Sequence, residues 1–145
     1  MRAVVQRVSR ARVSVGGAEV SRMDAGLLAL VGVAQGDTLE DARRLADKLV
    51  HLRVFDDASG RMNRSLLEVG GTLGVVSQFT LLADARRGRR PSFVEAAPPE
   101  AAEPLVELLR GLGVPIATGQ FRAEMQVELA NEGPVTLLLD TRGEF

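Results

Sequence analysis

The chain has 145 residues, of which 46% are hydrophobic and 26% charged, so it is long enough for one compact domain with a buried core. Its formal net charge of −1 excludes a protein whose whole surface is polycationic and coats nucleic acid. Its lack of cysteine excludes disulfides, thiol nucleophiles and cysteine-ligated zinc. No apolar run reaches the ~18 to 20 residues that cross a bilayer, and the N-terminus lacks the pattern of a signal peptide. We therefore expect a single cytoplasmic domain over residues 1–145, with no membrane contact.

The beginning of the chain has the pattern of β-strands. Residues 3–15 and 18–23 flank Gly16-Gly17, a two-residue glycine turn of the kind that closes hairpins. Residues 26–34 follow as a continuous apolar run, which is typical of a strand covered on both faces. The sequence therefore predicts a hairpin followed by a buried strand.

Two segments have helical patterns. Apolar residues recur at helical spacing over 38–52, and Asp37 with Glu40 three residues later predicts the start of this helix, with Asp37 as N-cap. A second helix is predicted after Pro98-Pro99, where leucine and valine recur until two glycines interrupt the pattern. We expect these to be the two main helices of the fold.

The end of the chain predicts two more strands. Residues 125–129 alternate between apolar and polar, and the apolar run 135–140 follows a corner that contains Gly133-Pro134. Proline has no N–H to give to a sheet ladder, so it usually stands at an edge, a strand start or a turn. The pattern therefore predicts a closing hairpin.

The predicted strands outnumber the two helices, which cannot cover every apolar strand face. We therefore expect an α+β fold, in which mixed or antiparallel sheets form a barrel-like or two-sheet core with the two helices packed outside. Apolar outer faces also indicate that a second sheet, closure of a barrel or a partner subunit covers them. This favours a homodimer.

Few side chains are candidates for catalysis. His51, the only histidine, follows core positions of the first helix and is interpreted as a satisfied, partly buried residue. Asp56-Asp57 are interpreted as turn formers rather than paired catalytic carboxylates. Four arginines within residues 86–90 predict a solvated loop, with phosphate binding as the alternative. No phosphate-binding glycine motif and no clustered metal ligands are present, so we expect neither cofactor nor metal.

The segment 72–82 is predicted as a buried strand with one unusual feature. Ser77, Gln78 and Thr80 interrupt its apolar pattern, and burying such groups without partners would cost about 1 to 3 kcal/mol each. They therefore bond to neighbouring backbone at a strand end, or they face a pocket. Both interpretations are open on this pattern alone.

Two segments, "SQFTLL" (77–82) and "NEGPVT" (131–136), together favour the pocket over the strand end. They are similar to the two signature segments of the D-aminoacyl-tRNA deacylase family, also called D-tyrosyl-tRNA deacylase, and the chain resembles this family over essentially its whole length. Further matching segments are "MRAVVQRV", "GLLALVGVAQGDT", "LRVFDDASGRMNRS", "GRRPSF" and "GQFRAEMQVELANEGPVT". Arg122 departs from the pattern, because the family usually has glycine after the phenylalanine of this last segment.

The resemblance implies an enzyme that hydrolyses the ester of D-aminoacyl-tRNA and also removes glycine mischarged on tRNA, without a metal. It implies catalytic positions at Ser77, Gln78, Phe79 and Thr80, which would offer oxyanion donors to the ester. It implies that Phe121 and Met125 bind the terminal adenosine. Without the resemblance, the same two residues are explained equally well as ordinary core residues. It further implies that a cis Gly133-Pro134 enters the partner subunit's site and rejects L-amino acids.

Two alternatives from other functional classes stay open. The chain could be a non-catalytic module that binds the 3′ end of tRNA, in which case it would keep the pocket and release no amino acid. It could also be a general small esterase, although a paired nucleophile and base are missing from the sequence. Deacylation assays on charged tRNA and on small esters distinguish these possibilities.

Overall fold

The computed structural model describes residues 1–109 and 111–144, which form a mixed sheet of six strands, a small second sheet and three helices. The strands of the large sheet are β1 (Arg2–Val15), β2 (Ala18–Met23), β3 (Gly26–Gly32), β6 (Thr72–Ser77), β7 (Ile116–Thr118) and β8 (Gln126–Asp140). They have the order β2-β1-β3-β6-β7, with β8 also paired to β1. The small sheet pairs β4 (Phe55–Asp56) with β5 (Met62–Arg64), and the helices are α1 (Leu39–His51), α2 (Leu66–Val69) and α3 (Pro99–Leu108).

The long strand β1 organises the sheet. Its first half pairs with β3, its second half with β2, and both halves pair with β8. The predicted hairpin around Gly16-Gly17 is confirmed, since β2 returns antiparallel along β1. Strand β3 then pairs in parallel with β6, which in turn pairs in parallel with β7. The sheet is therefore antiparallel on one side and parallel on the other.

The sheet is nearly closed into a barrel, because β2 and β7, the strands at the two ends of this order, approach each other. One apolar cluster lies within this curved sheet and includes Val8, Val13, Leu28 and Val76. A second cluster lies between the opposite face of the sheet and helices α1 and α3. The expected α+β class, with a barrel-like sheet and two main helices outside, is confirmed. No helix in the described part of the chain is long and apolar enough to cross a membrane.

The predicted first helix is present, but its N-cap is Thr38 rather than Asp37. The carboxylate of Asp41 accepts hydrogen bonds from the Thr38 N–H at 2.9 Å and the Thr38 hydroxyl at 3.1 Å. Asp37 was the wrong choice because its carboxylate is used elsewhere, accepting the Ala34 N–H at 2.6 Å and pairing with Arg142 at 3.1 Å. The helix after Pro98-Pro99 is confirmed as α3.

The predicted strand over 72–82 is wrong in its second half. Strand β6 ends at Ser77, and residues Phe79–Leu82 form a 3₁₀ turn. The change occurs where the neighbouring strand β3 is also ending, so the parallel ladder has no further partner. The N–H of Gln78 makes the last contact, donating to the Val31 carbonyl at 2.7 Å.

The predicted closing hairpin is also wrong. Residues 126–140 form one strand, β8, which runs antiparallel to β1 along its whole length. The apparent corner is a bulge, because Asn131 pairs with Val8 and Thr136 pairs with Gln6, so residues 132–135 face the single residue Arg7. The alternating pattern of residues 126–140 indicates only which face of each half is buried. Both halves belong to one strand because β1 is long enough to pair with the two of them.

Candidate active site

A cavity of about 420 Å³ lies where the parallel strands β3 and β6 end. Five of the predicted site residues line it: Ser77, Gln78, Phe79, Phe121 and Met125. They come from two distant parts of the sequence, the end of β6 and the turn before β8. The structure thus brings the first signature segment and the predicted adenosine-binding pair to one place.

The remaining wall of this cavity is made of small apolar residues that the sequence analysis did not identify. They are Val33, Val76, Ala97, Pro99, Ala102, Ala123 and Val127. Alanine and proline are hard to recognise as site residues in a sequence, because no motif marks them. They matter here because their small side chains leave room between α3, β3 and the turn before β8. Only their tertiary positions show that they line it.

Ser77 and Gln78 are half-buried, whereas Phe79 and Thr80 are exposed. The Gln78 amide donates a hydrogen bond to the Thr80 hydroxyl, and Thr80 itself lies outside the cavity lining. The N–H groups of Phe79 and Thr80, at the start of the 3₁₀ turn, have no hydrogen-bond partner in the described part of the chain. The Phe79 N–H, in a residue that lines the cavity, and the adjacent Thr80 N–H are therefore unpaired backbone donors next to Gln78 within the described residues.

Gly32 at the end of β3 allows the 3₁₀ turn to pack closely against the sheet. A Cβ atom at this position would lie 2.6 Å from Leu82 Cδ2 and 2.9 Å from the backbone oxygen of Gln78. Because that second atom belongs to the backbone, any larger residue would displace the 77–80 segment. Gly32 thus fixes where Gln78 and Phe79 meet the cavity.

The other wall is a turn that precedes β8. The N–H of Ala123 donates to the Gln120 carbonyl at 3.1 Å, and Phe121 and Met125 pack against the two different apolar clusters of the fold. Arg122, between them, has φ of +65°. The cavity therefore opens at the junction of the two clusters, with a positive charge at its wall.

Candidate acid–base groups lie elsewhere. His51 is 59% exposed on α1 and pairs with Asp47 at 3.2 Å, so the expectation of a partly buried histidine is wrong, because this position faces solvent. Asp57 accepts N–H bonds from Ser59 at 2.9 Å and Arg61 at 3.1 Å, as a turn former does, and the Ser59 hydroxyl bond is the main cause that lowers the pKa of Asp57. No three metal-ligating side chains cluster within residues 1–109 and 111–144.

The 132–135 bulge does not line this cavity. Glu132, Gly133 and Pro134 are exposed, and the peptide bond between the last two is cis. The base of the bulge is held on both sides. The Asn131 side chain accepts the Val135 N–H at 2.7 Å and donates to the Val135 carbonyl at 3.1 Å, and the Arg7 guanidinium donates to the Glu132 carbonyl at 2.9 Å.

The arginine-rich loop is attached to the site by an aromatic contact. The rings of Phe79 and Phe93 meet edge to face, with centroids 5.2 Å apart. Arg86 pairs with Asp84 at 2.7 Å, and the hydrogen bond from the Arg86 side chain lowers the pKa of Asp84 well below its usual range. Arg86 is thus already engaged within the loop.

Two larger cavities, of about 540 and 570 Å³, are less suitable as sites. The first lies beside β1, β2 and β8, and two of the three arginines that line it pair with carboxylates: Arg12 with Glu128, and Arg22 with Glu19 at 2.9 Å. The second is lined by charged residues from both ends of the chain and from the arginine-rich loop, including Asp84, Arg86 and Arg142. The 420 Å³ cavity instead combines apolar walls with a few convergent polar groups, as ligand sites usually do.

Known proteins resemble this chain over its full length. The family model described as D-Tyr-tRNA(Tyr) deacylase matches residues 4–140. Proteins named D-aminoacyl-tRNA deacylase are 60% identical in Anaeromyxobacter dehalogenans, with 100% of both chains covered, and 59% identical in Thermomicrobium roseum, with 97% of this chain and 94% of that protein covered.

Two solved structures share the fold. The c-Myc DNA unwinding element binding protein has a TM-score of 0.88 and 39% identity, covering 97% of this chain and 98% of that one. A probable eukaryotic D-amino acid tRNA deacylase has a TM-score of 0.75 and 18% identity, covering 95% of this chain and 97% of that one. With the family model matching residues 4–140 and relatives that are 60% and 59% identical, the chain belongs to the D-Tyr-tRNA(Tyr) deacylase family of enzymes.

Proposed function

We propose that this enzyme hydrolyses the ester bond of D-aminoacyl-tRNA, and of glycine mischarged on tRNA, releasing free amino acid and tRNA. The observation that carries the proposal is the convergence of Ser77, Gln78, Phe79, Phe121 and Met125 on one cavity with apolar walls. Such a cavity suits a terminal adenosine, which is recognised by apolar surface and a few polar groups. Residues 1–145 would act as one domain in the cytoplasm, where aminoacyl-tRNA is made and used.

The chemistry asks little of the protein, because an aminoacyl ester is already activated. Its carbonyl must be positioned, and its developing oxyanion needs hydrogen-bond donors. The free N–H groups of Phe79 and Thr80, together with the Gln78 amide, are the donors we assign to this role. No metal or other cofactor is required for these steps.

The attacking group is not assigned to the protein. The Thr80 hydroxyl accepts a hydrogen bond from Gln78, and among the described residues no histidine, lysine or carboxylate lines the cavity to remove its proton. We therefore propose that the 2′-hydroxyl of the substrate's ribose assists a water molecule. Ser77 and Thr80 would position the reacting groups rather than attack them.

Selection against L-amino acids is assigned to Gly133 and Pro134 of a second subunit. These residues are exposed, stand on a bulge held by Asn131 and Arg7, and lie outside their own chain's cavity. A rigid backbone that fills the space of an L side chain rejects it whatever its chemistry. Glycine has no Cβ and would pass.

An apolar row on the sheet supports a homodimer that brings the bulge to a second cavity. Four residues lie side by side in register across β8, β1, β3 and β6: Leu138, Val4, Leu30 and Val76. The last of them, Val76, also lines the cavity. Leu138 is 56% exposed although it belongs to this row. We propose that a second copy covers the row, since a two-fold interface uses the same patch on both subunits.

The proposal is tested by incubating chelator-treated protein with D-tyrosyl-tRNA, L-tyrosyl-tRNA and glycyl-tRNA side by side. We expect rapid release of D-tyrosine and glycine and no acceleration with the L-isomer. Tight binding of tRNA without release would instead indicate an RNA-end binding module. Hydrolysis of small D-amino acid esters with none of charged tRNA would indicate a general esterase.

A further inference from the structure

Arg122 combines two unusual properties. It is the only residue other than glycine with positive φ in the described part of the chain, at +65°. A side chain in this left-handed region costs roughly 1 kcal/mol or more, and glycine would adopt the conformation without that cost. Its backbone conformation therefore gives arginine no advantage over glycine here.

Arg122 also supplies the only charge among the described residues that line the 420 Å³ cavity. The structure shows neither an ion pair nor a hydrogen bond for its guanidinium within residues 1–109 and 111–144. By contrast, Arg7, Arg12, Arg22 and Arg86 all pair with carboxylates. The exposed guanidinium at this cavity is thus available to a ligand.

We infer that Arg122 binds the phosphodiester that joins the terminal adenosine of the substrate to the preceding nucleotide. This inference rests on the proposed function, in which Phe121 and Met125 contact that adenosine. The phosphate nearest to a bound nucleoside would then lie at the cavity wall, where the guanidinium can form two parallel hydrogen bonds to it. Arg122 would thereby increase affinity for RNA ends without taking part in bond breaking.

The test compares the Arg122→Gln, Arg122→Gly and Arg122→Lys variants on two D-tyrosyl esters, one on tRNA and one on adenosine without phosphate. For tRNA, Arg122→Gln and Arg122→Gly should raise KM about tenfold and change kcat less than about twofold. The lysine variant should retain most of the affinity because it keeps the charge. KM for the adenosine ester should not change in any variant.

A second readout separates a phosphate contact from an effect on cavity shape. Loss of one phosphate contact should reduce the slope of log KM against log salt concentration by about 0.7 for single-stranded RNA. Arg43→Gln, at an exposed arginine on α1, is the matched control and should change neither KM nor slope. Glycine and glutamine variants that behave alike would also show that the backbone conformation is not responsible.

Three results would overturn the inference: an unchanged KM for tRNA, an equal increase for both esters, or an unchanged salt slope.

The affinity of each protein for the trinucleotide CpCpA and for free adenosine is measured in parallel. If the wild-type protein released no D-tyrosine, the proposed function would fail, whereas a selective loss of CpCpA affinity in Arg122→Gln would still support the phosphate contact. Equal affinities of wild type and variant for CpCpA would contradict it in either case.

Discussion

Phe93 packs its ring edge to face on Phe79, with centroids 5.2 Å apart and planes at 63°, and so attaches the arginine-rich loop to the candidate active site. Both rings remain partly exposed, at 56% for Phe79 and 40% for Phe93. A contact between two accessible rings does little for the core. Its consequence is that the end of the arginine-rich loop, residues 84–92, is linked to the 3₁₀ turn.

Removing this contact should therefore affect catalysis more than stability. We expect Phe93→Ala to lower kcat/KM for D-tyrosyl-tRNA about tenfold, and a double-mutant cycle with Phe79→Ala in urea unfolding to give a coupling of about 0.5 to 1.5 kcal/mol. Val94→Ala, at a neighbouring side chain that is 72% exposed, is the control and should behave as wild type. Additive effects of the two phenylalanine substitutions would show that the rings do not support each other.

Substitutions of Thr80 and Gln78 distinguish positioning from nucleophilic attack. Thr80→Ala should retain kcat within about tenfold of wild type, since the hydroxyl only accepts a hydrogen bond from the Gln78 amide. Gln78→Ala should lower kcat about 100-fold, because it removes a proposed oxyanion donor. Single-turnover kinetics measure both. A fall of the Thr80→Ala rate to the uncatalysed level, with tRNA binding intact, would restore the threonine as nucleophile.

The Asn131 side chain makes three hydrogen bonds at the base of the 132–135 bulge, two to Val135 and one to the Thr136 hydroxyl at 3.1 Å. Asn131→Ala should loosen the bulge and reduce the preference for D- over L-tyrosyl-tRNA about tenfold, while thermal unfolding shows a native-like transition. Glu132→Gln, on the same bulge, is the control because only its backbone carbonyl contacts Arg7. Undiminished discrimination in Asn131→Ala would indicate that the bulge takes no part in selection.

Stability should depend on pH through the start of α1. The Thr38 N–H bond is the main cause that lowers the pKa of Asp41 from 3.8. A carboxyl group whose pKa is lowered by folding contributes stability above its unfolded pKa and loses it as the pH falls through the folded value. Asp41→Ala should therefore cost about 1 kcal/mol at pH 7, and the cost should shrink as the pH falls below 3.8.

Urea unfolding at pH 7 and pH 3 measures this difference. Glu40→Ala is the control, because this exposed carboxylate in the same turn reaches its partner Arg43 only at 4.0 Å. Its effect should stay within about 0.5 kcal/mol at both pH values. An Asp41→Ala cost that is the same at both pH values would show that the charge of Asp41 does not matter.

Much of the fold could be predicted from local patterns. The Gly16-Gly17 turn, the periodic helix that became α1 and the proline-initiated α3 all depend on residues close together in sequence. Short elements such as α2 and the β4–β5 pair were missed because they bury too few residues to create a pattern. The bulge was misread as a hairpin because glycine and proline suit either structure, and only the length of β1 decides between them.

The candidate site was predictable where it uses distinctive residues. Segments containing Ser77 to Phe79 and Phe121 to Met125 meet at one cavity, although no periodicity in the sequence relates them. Ala97 and Ala102 could not be identified, since alanine contributes there only by being small. Gly32 likewise matters because of the backbone of Gln78 that packs against it, a contact that exists only in the folded chain.

The central claim is that one complete site needs the cavity of one protomer and the bulge of another. Two variants test it: Ala123→Trp, which fills the cavity wall, and a deletion of residues 132–134, which leaves Val135 to pair with Arg7 in a regular ladder. Neither variant alone should hydrolyse D-tyrosyl-tRNA selectively over the L-isomer.

Refolding the two variants together from denaturant, so that subunits pair at random, is the decisive measurement. The account predicts recovery of about a quarter of the wild-type D-selective activity, since half of the dimers are mixed and each has one intact site. A mixture no more selective or active than its two parents, despite mixed dimers shown by mass spectrometry, would contradict it.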